Sequence, residues 1–178
     1  MEITIFKDIK ETSQPFYREV EVVLKRIQEG ASKELVKKIR TEKNKEARNL
    51  LKQKLPAVCF SGTFTKRNDK SLQQHSGLIC LDFDGYKTNK DLLIDKEKLS
   101  KNKYCFCVFV SPSGKGLKML VKILKEPENH VNYFISLENY LNSPYFDKTS
   151  KNISRVCYES YDPLLYINEQ SITWDKIE

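Results

Sequence analysis

Two aspartates stand two positions apart at the end of an apolar run, within the segment His75–Gly85. Leu78–Phe83 is predicted to be a strand, and successive strand side chains point to opposite faces, so Asp82 and Asp84 project from the same face. Two carboxylates there are costly unless a cation or a basic partner compensates them. A divalent metal is the natural compensator, because oxygen ligands suit Mg²⁺ or Mn²⁺. The alternative is an ordinary strand end that leads into a polar Asp-Gly turn.

A glycine-rich segment, Ser111–Lys118, lies between two predicted strands. Glycines on both sides of Lys115 permit tight turns and close backbone approach, and exposed N–H groups in such a loop can hold an anion. Phosphate is the expected ligand, with Lys115 and Lys118 adding positive charge. The spacing is not that of a Walker A loop, and a plain hairpin turn is the alternative. Strand alternation predicts that Lys118 lies on the more polar face of the following strand.

Asp147 and Arg155 belong to a third candidate segment, Phe146–Tyr158. We expect the fold to bring Asp147 beside the first two aspartates, and Arg155 can bind a phosphate through two hydrogen bonds. Taken alone, Asp147 is equally well explained as a loop or capping residue, and Arg155 as a surface ion-pair partner. Only the combination of the three segments favours a site for metal and phosphate.

Three motifs follow one another along the chain: an Asp-x-Asp strand, a Ser-x-Ser-Gly-x-Gly hairpin, and an aspartate followed by an Asn-x-x-Arg strand. Together and in this order, they resemble the three catalytic motifs of the archaeo-eukaryotic primase superfamily, the primase-polymerases. The segments His75–Gly85, Ser111–Val121 and Ser154–Pro163 look most similar to its VirE N-terminal-like group from bacterial and phage mobile elements. The resemblance covers residues 57–165, most of the chain.

This resemblance implies a DNA primase or polymerase that transfers nucleotides from nucleoside triphosphates on a single-stranded DNA template. It implies that Asp82, Asp84 and Asp147 are catalytic and hold two metal ions, Mg²⁺ or Mn²⁺. It also implies a helicase domain or protein as a partner. The nucleotide-binding residues that it implies are Ser111, Ser113, Gly114, Lys115, Gly116, Lys118 and Arg155.

The sequence departs from the family pattern at Lys118, where the family usually has histidine. A lysine can contact phosphate as a point charge but cannot act as a neutral imidazole. The alternative function is therefore a catalytically weak or inactive nucleic-acid-binding accessory module of a mobile-element replication protein.

The formal net charge is +7, and residues 32–54 contain nine basic side chains against three acidic ones. A polyanionic partner and a solvated helix face both explain such an excess. In a primase-polymerase this stretch would offer a positive track for single-stranded DNA. The candidate nucleic-acid contacts are Lys37, Arg40, Lys66, Arg67 and His75.

Strand-like and helix-like segments interleave along the 178 residues, which predicts an α/β or α+β fold, and the resemblance specifies α+β. It implies an RRM-like mixed β-sheet primase-polymerase core over residues 57–165. Residues 1–56 are expected to add an N-terminal α/β unit of the same domain, with one strand and two helices, the second running from Ser32 to Pro56. Thr63–Gln74 is expected to be a mobile loop, and residues 166–178 a tail. The predicted core strands are Ala57–Phe60, Leu78–Phe83, Tyr104–Val110, Leu117–Leu124 and Ile153–Tyr158, and the predicted core helices are Lys90–Leu99 and Val131–Leu141.

Five cysteines, an odd number, all lie in apolar strand-like runs and are expected to be buried free thiols. No apolar run approaches the roughly 18 residues that a membrane helix needs, and the N-terminus has no signal-peptide pattern. We therefore expect a cytoplasmic protein with no membrane partner.

Overall fold

The computed structural model describes residues 1–177, and it contains ten β-strands and five α-helices in that range. The α+β class is confirmed, and the pairings among these strands are antiparallel. The strands are β1 (Glu2–Phe6), β2 (Phe16–Glu19), β3 (Ala57–Cys59), β4 (Gly62–Phe64), β5 (Leu72–His75), β6 (Leu78–Phe83), β7 (Cys105–Val110), β8 (Leu117–Lys122), β9 (Cys157–Tyr158) and β10 (Tyr166–Ile167). The helices are α1 (Val20–Glu29), α2 (Lys33–Thr41), α3 (Lys45–Lys52), α4 (Asn89–Ser100) and α5 (His130–Leu141).

Two four-stranded sheets make up the body of the fold. One has the order β2-β1-β3-β9 and the other the order β10-β7-β8-β6, while β4 and β5 form a separate two-stranded ribbon. Because β3 pairs with both β1 and β9, the N-terminal strand lies in the same sheet as a strand from the second half of the chain.

Strand β6 contributes to two hydrophobic cores, which is why its sequence is apolar on both faces. Ile79, Leu81 and Phe83 belong to the core that includes residues of α4 and α5. Leu78 and Cys80 lie on the opposite face, in or against the core that includes residues of α1 and β3. Because successive side chains of a strand alternate between its two faces, Asp82 and Asp84 follow Leu78 and Cys80 on this second face, as predicted.

The helices that flank this sheet have local start and stop signals. Helix α4 begins after Thr88, whose hydroxyl accepts a hydrogen bond from Asp91 N (3.1 Å) in a capping box. Helix α5 ends at Asn142, which adopts a left-handed conformation (φ 40°) that asparagine tolerates better than most residues. Both helices lie within two residues of their predicted bounds.

The predicted long helix from Ser32 to Pro56 is wrong, because the structure has two shorter helices there. The chain is extended at Glu42 and again at Asn44, whose side chain caps α3 by accepting a hydrogen bond from Ala47 N (3.0 Å). An N-cap starts a new helix, and its non-helical backbone interrupts the old one. Strand β2, which precedes α1 and pairs with β1, was not predicted.

Two segments expected to lack structure are ordered. Thr63–Gln74 includes most of β4 and β5, which pair with each other, instead of a mobile loop. In the expected tail 166–178, whose last residue lies outside the described residues, Tyr166 and Ile167 form β10. Trp174 is buried against α5, and its indole nitrogen donates to Ser136 Oγ (2.9 Å).

The five cysteines are free thiols, as predicted, and only Cys80 is partly exposed. Within residues 1–177, no helix is both long and apolar enough to span a membrane.

His75 is buried, which corrects its predicted role as a nucleic-acid contact. Gly77 N donates to His75 Nδ1 (3.0 Å), and His75 Nε2 lies 3.1 Å from Nδ1 of the equally buried His130. This geometry is satisfied when both rings are neutral, with His75 donating to His130. Burial, assisted by nearby positive charge, lowers the pKa of His75 to about 4, and burial and the neighbouring ring lower that of His130 to about 3.

The histidine pair predicts a loss of stability on mild acidification. As the pH falls below about 6.5, both histidines become protonated in the unfolded chain but stay neutral in the folded chain. The free energy of unfolding therefore decreases by about 1.4 kcal/mol per pH unit for each proton that only the unfolded chain binds. Urea unfolding between pH 7 and pH 5 measures this slope. The His130→Gln variant should have a shallower slope, and equal slopes for the two proteins would contradict the interpretation.

Candidate active site

The three candidate aspartates are brought together where a loop after α5 extends the second sheet beside the end of β6. Asp84 N donates to Tyr145 O and Asp147 N donates to Asp82 O, both at 2.8 Å. Between them Phe83 and Phe146 form an antiparallel bridge, and their rings pack edge to face with centroids 5.5 Å apart. The loop therefore places Asp147 next to the Asp-x-Asp strand.

The three carboxyl groups have different surroundings. Asp82 is buried and Asp84 is exposed. Partial desolvation raises the pKa of Asp84, and the negative charges of Asp82 and Asp147 raise it further against the opposing effect of Lys118. Partial burial also acts to raise the pKa of Asp147, but hydrogen bonds from Thr149 N (2.9 Å) and Thr149 Oγ1 (2.7 Å) outweigh it and leave this pKa lowered. The pKa of Asp84 is thus raised mainly by desolvation, with a smaller contribution from its acidic neighbours.

Lys118 is directly opposite Asp82 in the pairing of β6 with β8, and the two side chains form a salt bridge. Their exposed fractions are 15% and 9%, so the prediction that Lys118 lies on a polar surface is wrong: this face of β8 packs towards the other sheet. Burial alone would lower the pKa of Lys118, but the Asp82 carboxylate outweighs it and the pKa is raised. Lys118 is thus a charged residue inside the site.

The hairpin between β7 and β8 packs against Asp84. Its ends are closed by Ser111 N donating to Gly116 O (2.8 Å), and Gly114, with φ 71°, lies at its turn. A Cβ at position 116 would lie 2.7 Å from Phe83 O and still closer to a carboxylate oxygen of Asp84. Glycine is therefore required at position 116 for the hairpin to approach the aspartates.

The other predicted site residues fall in three places. Arg155 lies at the aspartates, with its guanidinium 3.9 Å from the Asp147 carboxylate. Arg40 is beside the hairpin and donates to the carbonyls of Ser111 (3.3 Å) and Tyr161 (2.7 Å). Lys37 is on the exposed face of α2, 3.4 Å from Glu34.

Lys66 and Arg67 lie in the connection between β4 and β5, close to the third motif. Asp69 of this connection accepts hydrogen bonds from Ser154 N (3.0 Å) and Ser154 Oγ (2.5 Å). Lys66 is exposed and Arg67 is partly exposed. Both cations are thus held on the side of the molecule that carries Arg155.

Sequence reasoning missed one cation of α3, Lys52, as a site residue. Burial and the positive charge of Arg48 lower the pKa of Lys52, and the negative charge of Asp84 opposes both effects. The Lys52 ammonium is thus close enough to Asp84 to interact with it electrostatically. The basic stretch of residues 32–54 was a signal, but it could not indicate Lys52, because the chain leaves the helical conformation between α2 and α3.

The model of the family named BT4734-like, N-terminal domain, matches residues 50–166 of this chain, about two thirds of its length. The chain belongs to this family. No curated protein matches the BT4734-like chain significantly. One similar solved structure is the AEP domain of the primase-polymerase of cyanophage S-2L, which is 11% identical, with a TM-score of 0.48. The match covers 98% of this chain and 83% of that chain.

The donor chemistry of this BT4734-like site suits a hard divalent cation. Three carboxylates lie around the end of β6, and a cation would relieve the repulsion from Asp82 and Asp147 that adds to the effect of desolvation on the pKa of Asp84. In residues 1–177, however, no three His, Cys, Asp or Glu side chains converge into a formed metal site. The Lys118 ammonium contacts Asp82 Oδ1, so a cation bound at Asp82 would share this carboxylate with Lys118 or displace the lysine.

The buried ion pair of the BT4734-like domain predicts a strong energetic coupling. Lys118→Met leaves the Asp82 carboxylate buried without a partner and should lower the free energy of unfolding by about 3–5 kcal/mol, as for other broken buried pairs. The double variant Asp82→Asn/Lys118→Met should lose clearly less than the sum of the two single variants. Urea unfolding of all four proteins measures the coupling.

A matched control for that cycle is Lys122→Met, on the same face of β8. The Lys122 ammonium donates to the carbonyls of Glu169 (2.6 Å) and Ser171 (3.4 Å). Its removal leaves no carboxylate unpaired, so Lys122→Met should lower the free energy of unfolding much less than Lys118→Met does. Additive losses for Asp82 and Lys118, within about 0.5 kcal/mol, would show that the pair is not coupled.

Proposed function

We propose that this chain is the catalytic domain of a DNA primase-polymerase of the archaeo-eukaryotic superfamily. It would transfer nucleotides from nucleoside triphosphates to a 3′-hydroxyl, directed by a single-stranded DNA template. Within this proposal the catalytic core is residues 57–165, with residues 1–56 as part of the same domain, and the chain belongs near the VirE N-terminal-like group and works with a helicase.

The observation that carries the proposal is the meeting of three motifs at one point. The loop of Asp147 is hydrogen-bonded along the end of β6, so a third carboxylate lies beside Asp82 and Asp84. The hairpin packs against the same end of β6 through Gly116. The first and third motifs, more than sixty positions apart in the sequence, are thus adjacent in space, and the hairpin lies beside them. This arrangement is suited to holding metal ions and a triphosphate.

Each residue has a role that its chemistry supports. Asp82, Asp84 and Asp147 would hold two divalent cations, Mg²⁺ or Mn²⁺, which when bound lower the pKa of an attacking hydroxyl and neutralise phosphate charge. Arg155 and the missed Lys52 would attract and orient the triphosphate beside Asp84. The hairpin from Ser111 to Gly116, together with Lys115 and Lys118, would provide further phosphate contacts.

The DNA track is proposed on the basic surface that adjoins the site. Lys66 and Arg67 are on the connection tied to Ser154, and Lys37 is on the exposed side of α2. Such cations contact the phosphate backbone of single strands without reading its sequence. Arg40 has a second, structural task, because it donates to two backbone carbonyls.

The salt bridge between Lys118 and Asp82 favours a second candidate function, a nucleic-acid-binding module that retains the fold with little or no activity. A lysine that neutralises Asp82 can replace a metal ion electrostatically. Such a module would bind single-stranded DNA without divalent metal and with a steep dependence on salt.

Nucleotide incorporation on primed and unprimed single-stranded DNA tests the first proposal. The wild-type chain should extend the DNA in Mg²⁺ or Mn²⁺, and Asp84→Asn should reduce the rate by at least about a hundredfold, since a lost metal ligand removes several kcal/mol of transition-state stabilisation. Because Asp84 is exposed, this variant should remain folded.

Asp175→Asn is the matched control for Asp84→Asn, because Asp175 is also exposed and belongs to the C-terminal segment instead of the three motifs. Its rate should equal that of the wild type. DNA binding by a folded wild-type chain that incorporates no nucleotide with either metal would support the binding module instead.

A further inference from the structure

The position of Arg155 in the candidate site depends on its backbone. Its side chain is exposed, and its guanidinium is 3.9 Å from the Asp147 carboxylate, near the upper limit for an ion pair. An exposed ion pair of this length restricts a flexible side chain only weakly. The region that the guanidinium can reach is therefore determined by the contacts that fix the backbone at Arg155.

Residues 152–155 form a tight turn just before β9. Arg155 N donates to Asn152 O (3.0 Å), and Asn152 Nδ2 donates to Ser154 Oγ (3.3 Å). Both hydrogen bonds are internal to the turn, so they give it its shape but do not place it relative to the aspartates. Contacts from other parts of the chain must anchor it there.

The anchors of this turn come from the segment that contains β4 and β5. Ser61 Oγ, just before β4, donates to Ile153 O. Asp69, in the connection between β4 and β5, accepts from Ser154 N (3.0 Å) and from Ser154 Oγ (2.5 Å), both at its Oδ1 atom. Hydrogen bonds to a carboxylate are stronger than those between neutral groups. Asp69 is therefore the stronger of these two anchors.

Asp69 itself belongs to an ordered connection. Ser71 N donates to Asn68 O and Thr65 N donates to Ser71 O, both at 3.1 Å, so the backbone on either side of Asp69 is fixed. Partial burial acts to raise the pKa of Asp69, but the hydrogen bonds from Ser154 outweigh it and leave this pKa lowered. The anchor is thus an ionised carboxylate on a rigid support.

The Asp69 carboxylate acts on the backbone of the turn and not on the guanidinium. Within the described residues 1–177, no salt bridge joins Asp69 to Arg155. The positive charge of Arg155 therefore stays available to an anion in the site.

We propose that Asp69 is a positioning residue, which anchors the turn through Ser154 and so holds Arg155 beside the aspartates. The inference rests on the proposed function only in giving Arg155 a triphosphate to contact. It also gives the polar ribbon of β4 and β5 a task within the site, as the support of the third motif.

Hydrogen–deuterium exchange at the amides of Ser154 and Arg155 tests the anchoring directly. Asp69→Ala removes both hydrogen bonds to Ser154, so exchange at these amides should become at least about tenfold faster. Asp69→Asn keeps an Oδ1 acceptor without the negative charge, and its exchange should stay within about threefold of the wild-type rate. Asparagine would not rescue a role that depends on charge alone.

Isothermal titration calorimetry with dATP and Mg²⁺ measures the consequence for the site. Asp69→Ala should weaken dATP binding at least about fivefold, because a mobile Arg155 loses more entropy when it contacts phosphate. Asp69→Asn should weaken binding less than about twofold. Since the effect is transmitted by Arg155, Asp69→Ala should cause no further loss in the Arg155→Ala background.

Asp91→Ala is the matched control for Asp69→Ala. Asp91 accepts the same pair of hydrogen bonds, from the backbone N–H (3.2 Å) and the hydroxyl (2.8 Å) of one residue, Thr88, at the start of α4. Its removal should change neither the exchange at Ser154 and Arg155 nor the affinity for dATP.

Unchanged exchange in Asp69→Ala, or a loss of dATP affinity that persists in the Arg155→Ala background, would overturn the proposal. Absence of dATP binding by the wild-type chain would contradict the proposed function instead, and the exchange measurement would still decide the role of Asp69.

Discussion

The candidate site depends on a short backbone pairing beyond the last residue of β6. Two hydrogen bonds, Asp84 N to Tyr145 O and Asp147 N to Asp82 O, continue the sheet for three residues on a loop that has no strand of its own. Backbone groups at a strand end need partners, and this loop supplies them while adding a third aspartate. The left-handed turn at Asn142 ends α5, and the Phe83–Phe146 contact fixes the loop on the core. The aspartates are therefore positioned by backbone pairing and packing and not by contacts among the carboxylates.

Charge balance gives this site two distinct halves. Inside, Lys118 neutralises Asp82, and this pair is compatible with the packing of the two sheets. At the rim, Asp84 and Asp147 are closer to solvent, and the pKa of Asp84 is raised partly by its acidic neighbours. A bound cation would therefore stabilise the carboxylates at the rim most, whereas the negative charge of Asp82 in the interior is already neutralised by Lys118. Lys52 of α3 and Arg155 add positive charge at this rim, where a triphosphate would lie.

The sequence predicted the parts of the fold that are determined by local pattern. Strands β6 and β7 are mostly apolar on both faces because both faces are buried, β8 alternates apolar residues with Lys118 and Lys122, and α4 and α5 have clear periodicity. The predictions that were wrong concern segments whose structure depends on distant partners or on short local signals. Asn44 interrupts a charged helical pattern with one cap, and β4 and β5 are polar strands that stabilise each other. The buried His75 has its hydrogen-bond partner in His130, 55 positions away. The aspartates, glycines and Arg155 were recognisable from residue type and spacing, but the partner of Lys118 and the position of Lys52 required the three-dimensional structure.

The account rests centrally on Asp84 and Asp147 acting as ligands of a divalent cation, and direct binding of Mn²⁺ tests this without requiring catalysis. Electron paramagnetic resonance measures free Mn²⁺ during titration of the wild-type chain and of Asp84→Asn, Asp147→Asn and the control Asp175→Asn. The account predicts saturable binding that weakens at least about tenfold in the first two variants and is unchanged in the control. Mn²⁺ affinity that is equal in all four proteins would contradict it.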